Sequence, residues 1–237
     1  AEADKTSSEN NIAVGSFISS GNDIHLTSKN EDIKIVGSML LAGNDINLSA
    51  GNDIDIIASS SNSSFKNIGG SLSLDIALVG AGYSIGGELH GAKSSSNTFT
   101  NSVINANHNL NIVSGNDATI SGANLAANND LVMNIGGDLL IESLQNTSKE
   151  RSFAIGGGYG TMGGGKSYSA NIGYSKGSRA WVDNQTTIIG GSLVDITVTD
   201  NTNIKGAMIA NLKLDGTDGG NLVLNTGTLT YSNIKDK

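Results

Sequence analysis

The triplet Gly-Asn-Asp occurs four times in this chain, each time directly before a short run in which apolar and polar residues alternate. Such runs, bounded by Gly, Asn and Asp, are typical of short β-strands and the turns between them. The Asp residues that precede such runs, Asp32 among them, recur at a nearly fixed interval: the step from Asp23 to Asp45 and the step from Asp32 to Asp53 differ by a single position. Such a recurring interval, close to twenty positions, predicts a chain that winds through equivalent, stacked coils.

The same order of strands returns further along the chain. Leu131 follows Leu110 at the interval that separates Asp32 from Asp53, and one constant offset carries the first copy onto this second one. The pairs at that offset are Asp32 and Asp117, Gly37 and Gly122, Leu40 and Leu125, Asp45 and Asp130, and Asp53 and Asp138. A third copy begins near Val194, where we expect a shorter period that places Leu212 over Val194 and Leu222 over Ile204.

These repeats predict an all-β fold, a parallel β-solenoid with about 20 residues per coil. Ile and Leu side chains of successive coils then stack at the strand spacing of about 4.8 Å and form a narrow, continuous core. Asn and Asp suit the corners because they tolerate left-handed backbone and bond their own chain, and stacked Asn can form amide ladders. We predict one elongated unit over residues 1–237, with solenoid blocks at 16–61, 98–147 and 184–237.

Two segments, residues 62–97 and 148–183, interrupt the solenoid pattern with longer alternating runs joined by Gly-rich turns. Both segments predict antiparallel β-hairpins in which one face is apolar. The side chains of these apolar faces are Leu72, Leu74, Ile76, Leu78, Tyr83, Ile85, Phe153, Ile155, Tyr159, Tyr168, Ile172 and Tyr174.

Two hypotheses account for the apolar faces of the hairpins. In the first, which half-buried antiparallel strands generally favour, the apolar faces pack against the side of the solenoid. In the second, they contact a membrane or another protein, since about ten alternating residues are the length that a membrane strand needs.

The composition of the chain argues against several classes of protein function. The formal net charge of −8, without a basic stripe, argues against nucleic acid as a partner. The absence of Cys excludes disulfides, thiolate nucleophiles and Cys-based zinc sites. No stretch approaches the roughly 18 apolar residues of a membrane helix, and the first residues lack the pattern of a signal peptide. Because the chain starts in a polar segment and stops without a closing cap, we expect it to be a segment of a longer protein.

No motif predicts catalysis, a cofactor or a metal. Calcium is the main alternative explanation for the Gly-Asn-Asp triplets, but the spacing between Asp45 and Asp53, one position shorter than the repeat of a calcium-binding roll, favours turns. Residues Gly160 to Ser167 match the phosphate-loop pattern, yet the sequence after them alternates as a strand does, where that loop needs a helix. We therefore predict no enzyme activity, no cofactor and no catalytic or metal-binding residue.

The stretch "SGNDATISGANLAANNDLVMNIGGDLLIESLQNTS", Ser114 to Ser148, resembles the haemagglutinin repeats of the filamentous haemagglutinin family. The closing "NTGTLTYSNIKDK" and the alternation of solenoid blocks with Gly- and Ser-rich stretches are also similar to that family, so the resemblance covers the chain from about Ser16 onward.

The resemblance implies a right-handed parallel β-helix and export through an outer-membrane two-partner secretion transporter. It also implies a secreted or surface-displayed protein of Gram-negative bacteria, as in the effectors of contact-dependent growth inhibition. The function expected from it is that of a stalk segment, with a part in toxin delivery across the outer membrane of a target cell. The alternative is an adhesin segment that binds a host or bacterial receptor or glycan directly.

Overall fold

The computed structural model describes residues 1–77 and 82–237, and every regular element within these ranges is a β-strand. Three six-stranded parallel sheets and one five-stranded antiparallel sheet contain the 23 strands. The predicted all-β fold, a parallel β-solenoid interrupted by antiparallel hairpins, is confirmed.

The three parallel sheets are the three faces of a β-helix with six coils, because each coil contributes one strand to each sheet in chain order. The first three coils contain β2 (Phe17–Ser20), β3 (Ile24–Ser28) and β4 (Ile33–Val36); β5 (Met39–Ala42), β6 (Ile46–Ala50) and β7 (Ile54–Ile57); and β10 (Ser102–Ala106), β11 (Leu110–Ser114) and β12 (Ala118–Ser121). The last three contain β13 (Ala123–Ala127), β14 (Asp130–Ile135) and β15 (Leu139–Glu142); β18 (Thr187–Gly190), β19 (Leu193–Val198) and β20 (Asn201–Lys205); and β21 (Met208–Asn211), β22 (Leu222–Asn225) and β23 (Thr228–Ser232).

Columns of apolar side chains fill the interior of the β-helix. The faces are numbered by the order of their strands within a coil. On the second face, Leu48, Ile112 and Met133 lie directly above one another in the strand register, and each is at most 1% exposed. The register also pairs Leu110 with Leu131, which confirms the period predicted for the second copy. Each coil buries its apolar side chains only against its neighbours, so the stability of the solenoid is nearly a sum over adjacent coils.

The Asp residues that precede the strands join each coil to the next. The Asp53 carboxylate accepts hydrogen bonds from the Asp117 backbone N–H at 3.0 Å and from the Asn116 side-chain amide at 2.9 Å, one coil further along. Asp32 accepts the same two bonds from Asp53 and Asn52. The repeated aspartates are therefore corner acceptors that satisfy backbone donors which would otherwise lack a partner in the turn.

A second column of these bonds lies at the preceding corner. Asp23 accepts from the Asp45 backbone N–H at 3.1 Å and from the Asn44 amide at 2.8 Å, and Asp45 in turn accepts from the Asn109 N–H at 3.0 Å. The hydrogen bond from the Asp45 backbone, followed by that from Asn44, lowers the pKa of the Asp23 carboxyl from its ordinary value. Asn47 and Asn111 also form the predicted amide ladder at 2.9 Å.

The expected short period in the third copy is wrong. Val194 pairs with Leu222 and Ile204 with Tyr231, so the last coil is longer than the regular period where a shorter one was predicted. The sequence around Leu214 alternates as a strand does, but Leu214 is 84% exposed. Asp215 instead forms a local turn with Thr217, whose hydroxyl, followed by its backbone N–H, lowers the pKa of the Asp215 carboxyl.

The corner between the third face and the next coil takes two alternating forms. Gly37, Gly122 and Gly206 have φ values of +52°, +64° and +59° and make a tight turn after the first, third and fifth coils. A Cβ atom at Gly37 would overlap the Ser59 side chain, so the position requires glycine. After the second and fourth coils the corner is replaced by a hairpin, and the constant offset between the two copies is thus two coils plus one hairpin.

The two hairpins belong to one antiparallel sheet, which we name the side sheet, in the order β1-β8-β9-β16-β17. Its strands are β1 (Glu2–Asn11), β8 (Ser59–Ala77), β9 (Gly82–Thr100), β16 (Asn146–Met162) and β17 (Gly165–Trp181). The strands extend beyond the predicted starts of both excursions, at 62 and 148. The edge strand β1 was not predicted, since its sequence, EADKTSSENN, has no apolar alternation and its pairing with β8 rests on backbone hydrogen bonds.

Each of the first five coils is continuous with one strand of the side sheet. Strand β1 leads into the first coil, β8 leaves the second, β9 enters the third, β16 leaves the fourth and β17 enters the fifth. The residue after the sixth coil that lies beside β17 is Lys237, which exchanges two backbone hydrogen bonds with Ala180 at 2.8 and 3.0 Å. The side sheet and the coils therefore share one strand spacing, about 4.8 Å, along a common direction.

We expect the Asp53→Ala variant to lower the free energy of unfolding by about 1 to 2 kcal/mol, because two donors of the next coil lose a charged acceptor. Denaturant unfolding of the whole chain measures this. Asp183→Ala, which removes an exposed carboxylate outside the corner columns, is the matched control and should change the value by less than about 0.5 kcal/mol. Equal effects of the two changes would contradict the role of the corner acceptors.

The packing of the apolar columns predicts that Ile112→Ala, in the third coil, lowers the free energy of unfolding by more than Asp53→Ala does. Ile112 is fully buried between Leu48 and Met133, so the change should cost about 2 to 5 kcal/mol in transfer energy and residual cavity. The same unfolding experiment measures it, and a cost below about 1 kcal/mol would show that the interior is not close-packed.

Candidate functional site: the apolar face of the side sheet

The strand register places the predicted hairpin side chains on a single face. Residues directly opposite each other in an antiparallel sheet point to the same side, and Leu74 opposes Ile85, Ile85 opposes Tyr159, and Tyr159 opposes Tyr168. We name this side of the sheet the apolar face. It carries eleven of the predicted residues: Leu72, Leu74, Ile76, Tyr83, Ile85, Phe153, Ile155, Tyr159, Tyr168, Ile172 and Tyr174. The twelfth, Leu78, lies outside the described residues.

The apolar face is not covered by the solenoid. Leu72 is 67% exposed, Ile76 is 69% exposed and Ile172 is 82% exposed, values that are incompatible with packing against another part of the chain. The hypothesis that the hairpins bury their apolar faces on the side of the β-helix is therefore wrong.

The apolar face stays uncovered because the two hairpins pair with each other. Strand β9 of the first hairpin bonds along its length to β16 of the second, from Thr161 opposite Tyr83 to Thr147 opposite Asn97. Because each strand is also continuous with a coil, the two hairpins form one sheet beside the solenoid and do not fold back onto it. Backbone hydrogen bonding, and not burial of the apolar side chains, fixes their position.

Glycines divide the apolar face into ridges and grooves. Leu72 lies opposite Gly87, which lies opposite Gly157, while Leu89 and Ile155 form the neighbouring row. A groove of about 530 Å³ runs over these glycines, with Leu72, Leu89 and Ile155 among its lining residues. The walls of this groove are mainly apolar.

Aromatic side chains cluster at the end of the apolar face that is far from the solenoid. The ring centroids of Tyr83 and Tyr159 are 5.9 Å apart, and those of Tyr159 and Tyr168 are 5.1 Å apart, both in tilted arrangements. Partial burial, which disfavours the charged phenolate, is the main cause that raises the pKa of the Tyr159 phenol from its ordinary value. The interaction with the Tyr83 hydroxyl raises it further. Tyrosine combines an apolar ring with a polar tip and is suited to a boundary between lipid and water.

Several residues of this face were not predicted as contact residues from the sequence. Ile68, and Leu89, which continues the alternation of Tyr83 and Ile85, extend the apolar area, with 42% and 49% of their surfaces exposed. A row of four cations, Lys66, Lys93, Arg151 and Lys176, borders it. The sequence contains one indication of these residues. The constant offset that relates the solenoid copies also carries Lys66 onto Arg151 and Ile68 onto Phe153.

The opposite face of the side sheet is polar, and we name it the polar face. His90 lies there, with its Nε2 atom 3.5 Å from Asp4 and its Nδ1 atom 3.8 Å from Glu88, and all three side chains are partly exposed. Within residues 1–77 and 82–237, no three His, Cys, Asp or Glu side chains are grouped closely enough to hold a metal ion. The phosphate-loop match at Gly160–Ser167 spans the turn from β16 to β17 and continues as a strand, as predicted.

Among the described residues there is no helix of the length and apolarity needed to cross a membrane.

Comparison with known proteins places the chain in a family. The hemagglutinin repeat profile matches residues 1–157 and 148–233. A deoxyribonuclease CdiA of Dickeya dadantii (strain 3937) is 32% identical over 97% of this chain and 7% of its own length. A toxin CdiA of Yersinia pestis is 28% identical over 94% of this chain and 7% of its own length, and a tRNA nuclease CdiA of Escherichia coli (strain NC101) is 32% identical over 61% and 4%.

The chain thus spans between 4% and 7% of the length of these three relatives, and their names describe the whole proteins. No solved structure gives a significant match. The resemblance drawn from the sequence is confirmed: the profile match over nearly the whole chain, together with the CdiA relatives, shows that this chain belongs to the hemagglutinin-repeat family.

Proposed function

We propose that this chain is a stalk segment of a large exoprotein, exported by two-partner secretion and displayed at the surface of a Gram-negative bacterium. In this function the β-helix is the rod, and the apolar face of the side sheet contacts the outer membrane of a target cell during toxin delivery. The uncovered apolar face is the observation that carries the proposal.

The exposed apolar side chains of this face mark it as a contact surface. Soluble proteins rarely expose large contiguous apolar patches, and those that exist mark interfaces with proteins or membranes. On the apolar face, Leu72, Leu74 and Ile76 of one strand are each more than 60% exposed, and Tyr168, Ile172 and Tyr174 of another are each at least 70% exposed. The cost of keeping these side chains in water favours their transfer into a membrane interface.

A lipid surface fits the shape of the apolar face. Only one face of the sheet is apolar, so the sheet is suited to lie at the boundary between lipid and water, as an amphipathic element does. The groove over Gly87 and Gly157 offers a place for an acyl chain, and the tyrosines at the far end suit the interface.

The β-helix supports the stalk role. Its coils are held by columns of apolar side chains and corner hydrogen bonds that extend from coil to coil, so added coils lengthen the rod without a new fold. The names of the relatives, which include nucleases and a toxin, support a part in toxin delivery. We assign any catalysis to other parts of the parent protein.

We expect the triple variant Leu74→Ser, Ile155→Ser, Ile172→Ser to bind phospholipid vesicles at least about tenfold more weakly than the unchanged chain, because three exposed apolar side chains lose their transfer energy. Cosedimentation with vesicles measures the affinity. The three side chains are about half exposed or more, so the free energy of unfolding should change little.

The matched control is Val36→Ser, Val113→Ser, Val223→Ser, which removes three exposed apolar side chains from the solenoid instead. This variant should bind vesicles as the unchanged chain does. Negligible binding by all three proteins would refute the membrane contact, and binding of the unchanged chain to whole cells alone would point to a receptor.

A further inference from the structure

Four cations lie side by side across the side sheet. Lys66 opposes Lys93, Lys93 opposes Arg151, and Arg151 opposes Lys176, so one residue from each of four adjacent strands falls in a single row. We name these four residues the cation row. All four side chains are exposed on the apolar face, where the row borders the apolar side chains on the side nearer to the solenoid.

Charge is divided between the two faces of the side sheet. The apolar face carries seven of the chain's 14 Lys and Arg residues and one acidic residue, Glu9, whereas the polar face carries one such cation, Arg179, and five acidic residues. The seven cations are Lys5, Lys66, Lys93, Lys149, Arg151, Lys166 and Lys176. The five acidic residues are Glu2, Asp4, Asp75, Glu88 and Glu150. A chain of net charge −8 therefore presents a positive apolar face.

The cation row is unfavourable without an anion. Like charges directly opposite each other in a sheet destabilise it. In the described part of the chain, no carboxylate lies within ion-pair distance of any of the four side chains, although other Lys residues do form such pairs, as Lys34 does with Asp55 at 3.4 Å. An external anion is the partner that would offset this repulsion.

A cavity joins the cation row to the apolar face. It has a volume of about 230 Å³, its lining includes Lys66, Lys93 and Arg151 on one side and Ile68 and Phe153 on the other, and its apolar walls outweigh its polar ones. Phe153 lies opposite Gly91 in the strand register, and a Cβ atom at Gly91 would overlap the Phe153 ring, so the glycine leaves the space that this ring fills. The position combines a charged rim with an apolar floor, which is the chemistry of a lipid headgroup and the start of its acyl chain.

We propose that the cation row binds the phosphate groups of anionic lipids in the membrane that the apolar face contacts. This inference rests on the proposed membrane contact and adds the class of lipid. Arg and Lys at the rim of an apolar area extend their charged ends to the headgroups while their stems cover apolar surface. Arg151, near the middle of the row, can bind a phosphate through two parallel N–H donors.

The test compares vesicles of phosphatidylcholine alone with vesicles that also contain phosphatidylglycerol. The unchanged chain should bind both, and should bind the anionic vesicles more tightly, with an advantage that falls as salt is raised. The variant Lys93→Gln, Arg151→Gln should lose about 25-fold in affinity for the anionic vesicles, roughly fivefold per cation, and little for the neutral ones.

The matched control is Lys29→Gln, Lys213→Gln, which makes the same change in net charge at exposed positions outside the side sheet. Its affinity for anionic vesicles should fall by less than about twofold. Thermal unfolding adds a second measurement, since the cation-row variant should melt no lower than the unchanged chain once like charges are removed.

Equal losses for the two variants, or equal binding of the unchanged chain to both kinds of vesicle, would overturn this inference and leave the membrane contact standing. Absence of binding to either kind of vesicle would instead refute the membrane contact, and this inference with it.

Discussion

Backbone hydrogen bonds hold neighbouring strands about 4.8 Å apart, and in this chain the same spacing governs the coils and the side sheet. Each of the first five coils is continuous with one strand of the sheet, and the sheet order follows the coil order. A hairpin contributes two strands and is inserted once every two coils, so sheet and solenoid lengthen at the same rate. If an insertion came at another interval, the hairpins would lose their alignment and could not pair.

This shared spacing also determines which surfaces are exposed. Strands fixed by their pairing cannot fold back to bury their apolar side chains, so Leu72, Ile155 and Ile172 remain accessible to solvent. Alternation along the strands then separates apolar and cationic residues from acidic ones on opposite faces. The solenoid satisfies the backbone donors at its corners through bonds such as those to Asp53, and the side sheet presents the surface that can contact a partner.

Much of the β-helix was predictable because each coil repeats the same local pattern. The interval between Asp32 and Asp53 indicated the register that the structure has, and the alternation of Leu74, Ile85 and Tyr168 indicated the apolar face. What could not be predicted depends on contacts between distant strands. The polar strand β1 has no pattern of its own, Leu214 lies in a turn despite its alternation, and the cation row forms only when Lys66 and Lys176 are brought together by the joining of the two hairpins.

The absence of Cys from the chain allows the proposed contact between the apolar face and a membrane to be tested residue by residue. Single cysteines placed in turn at positions 168 to 175 of β17 would carry an environment-sensitive fluorophore, and its shielding from an aqueous quencher would be measured with anionic vesicles. We expect alternation, with positions Tyr168, Ala170, Ile172 and Tyr174 shielded and the odd-numbered positions accessible to the quencher. Equal accessibility at all eight positions would contradict it.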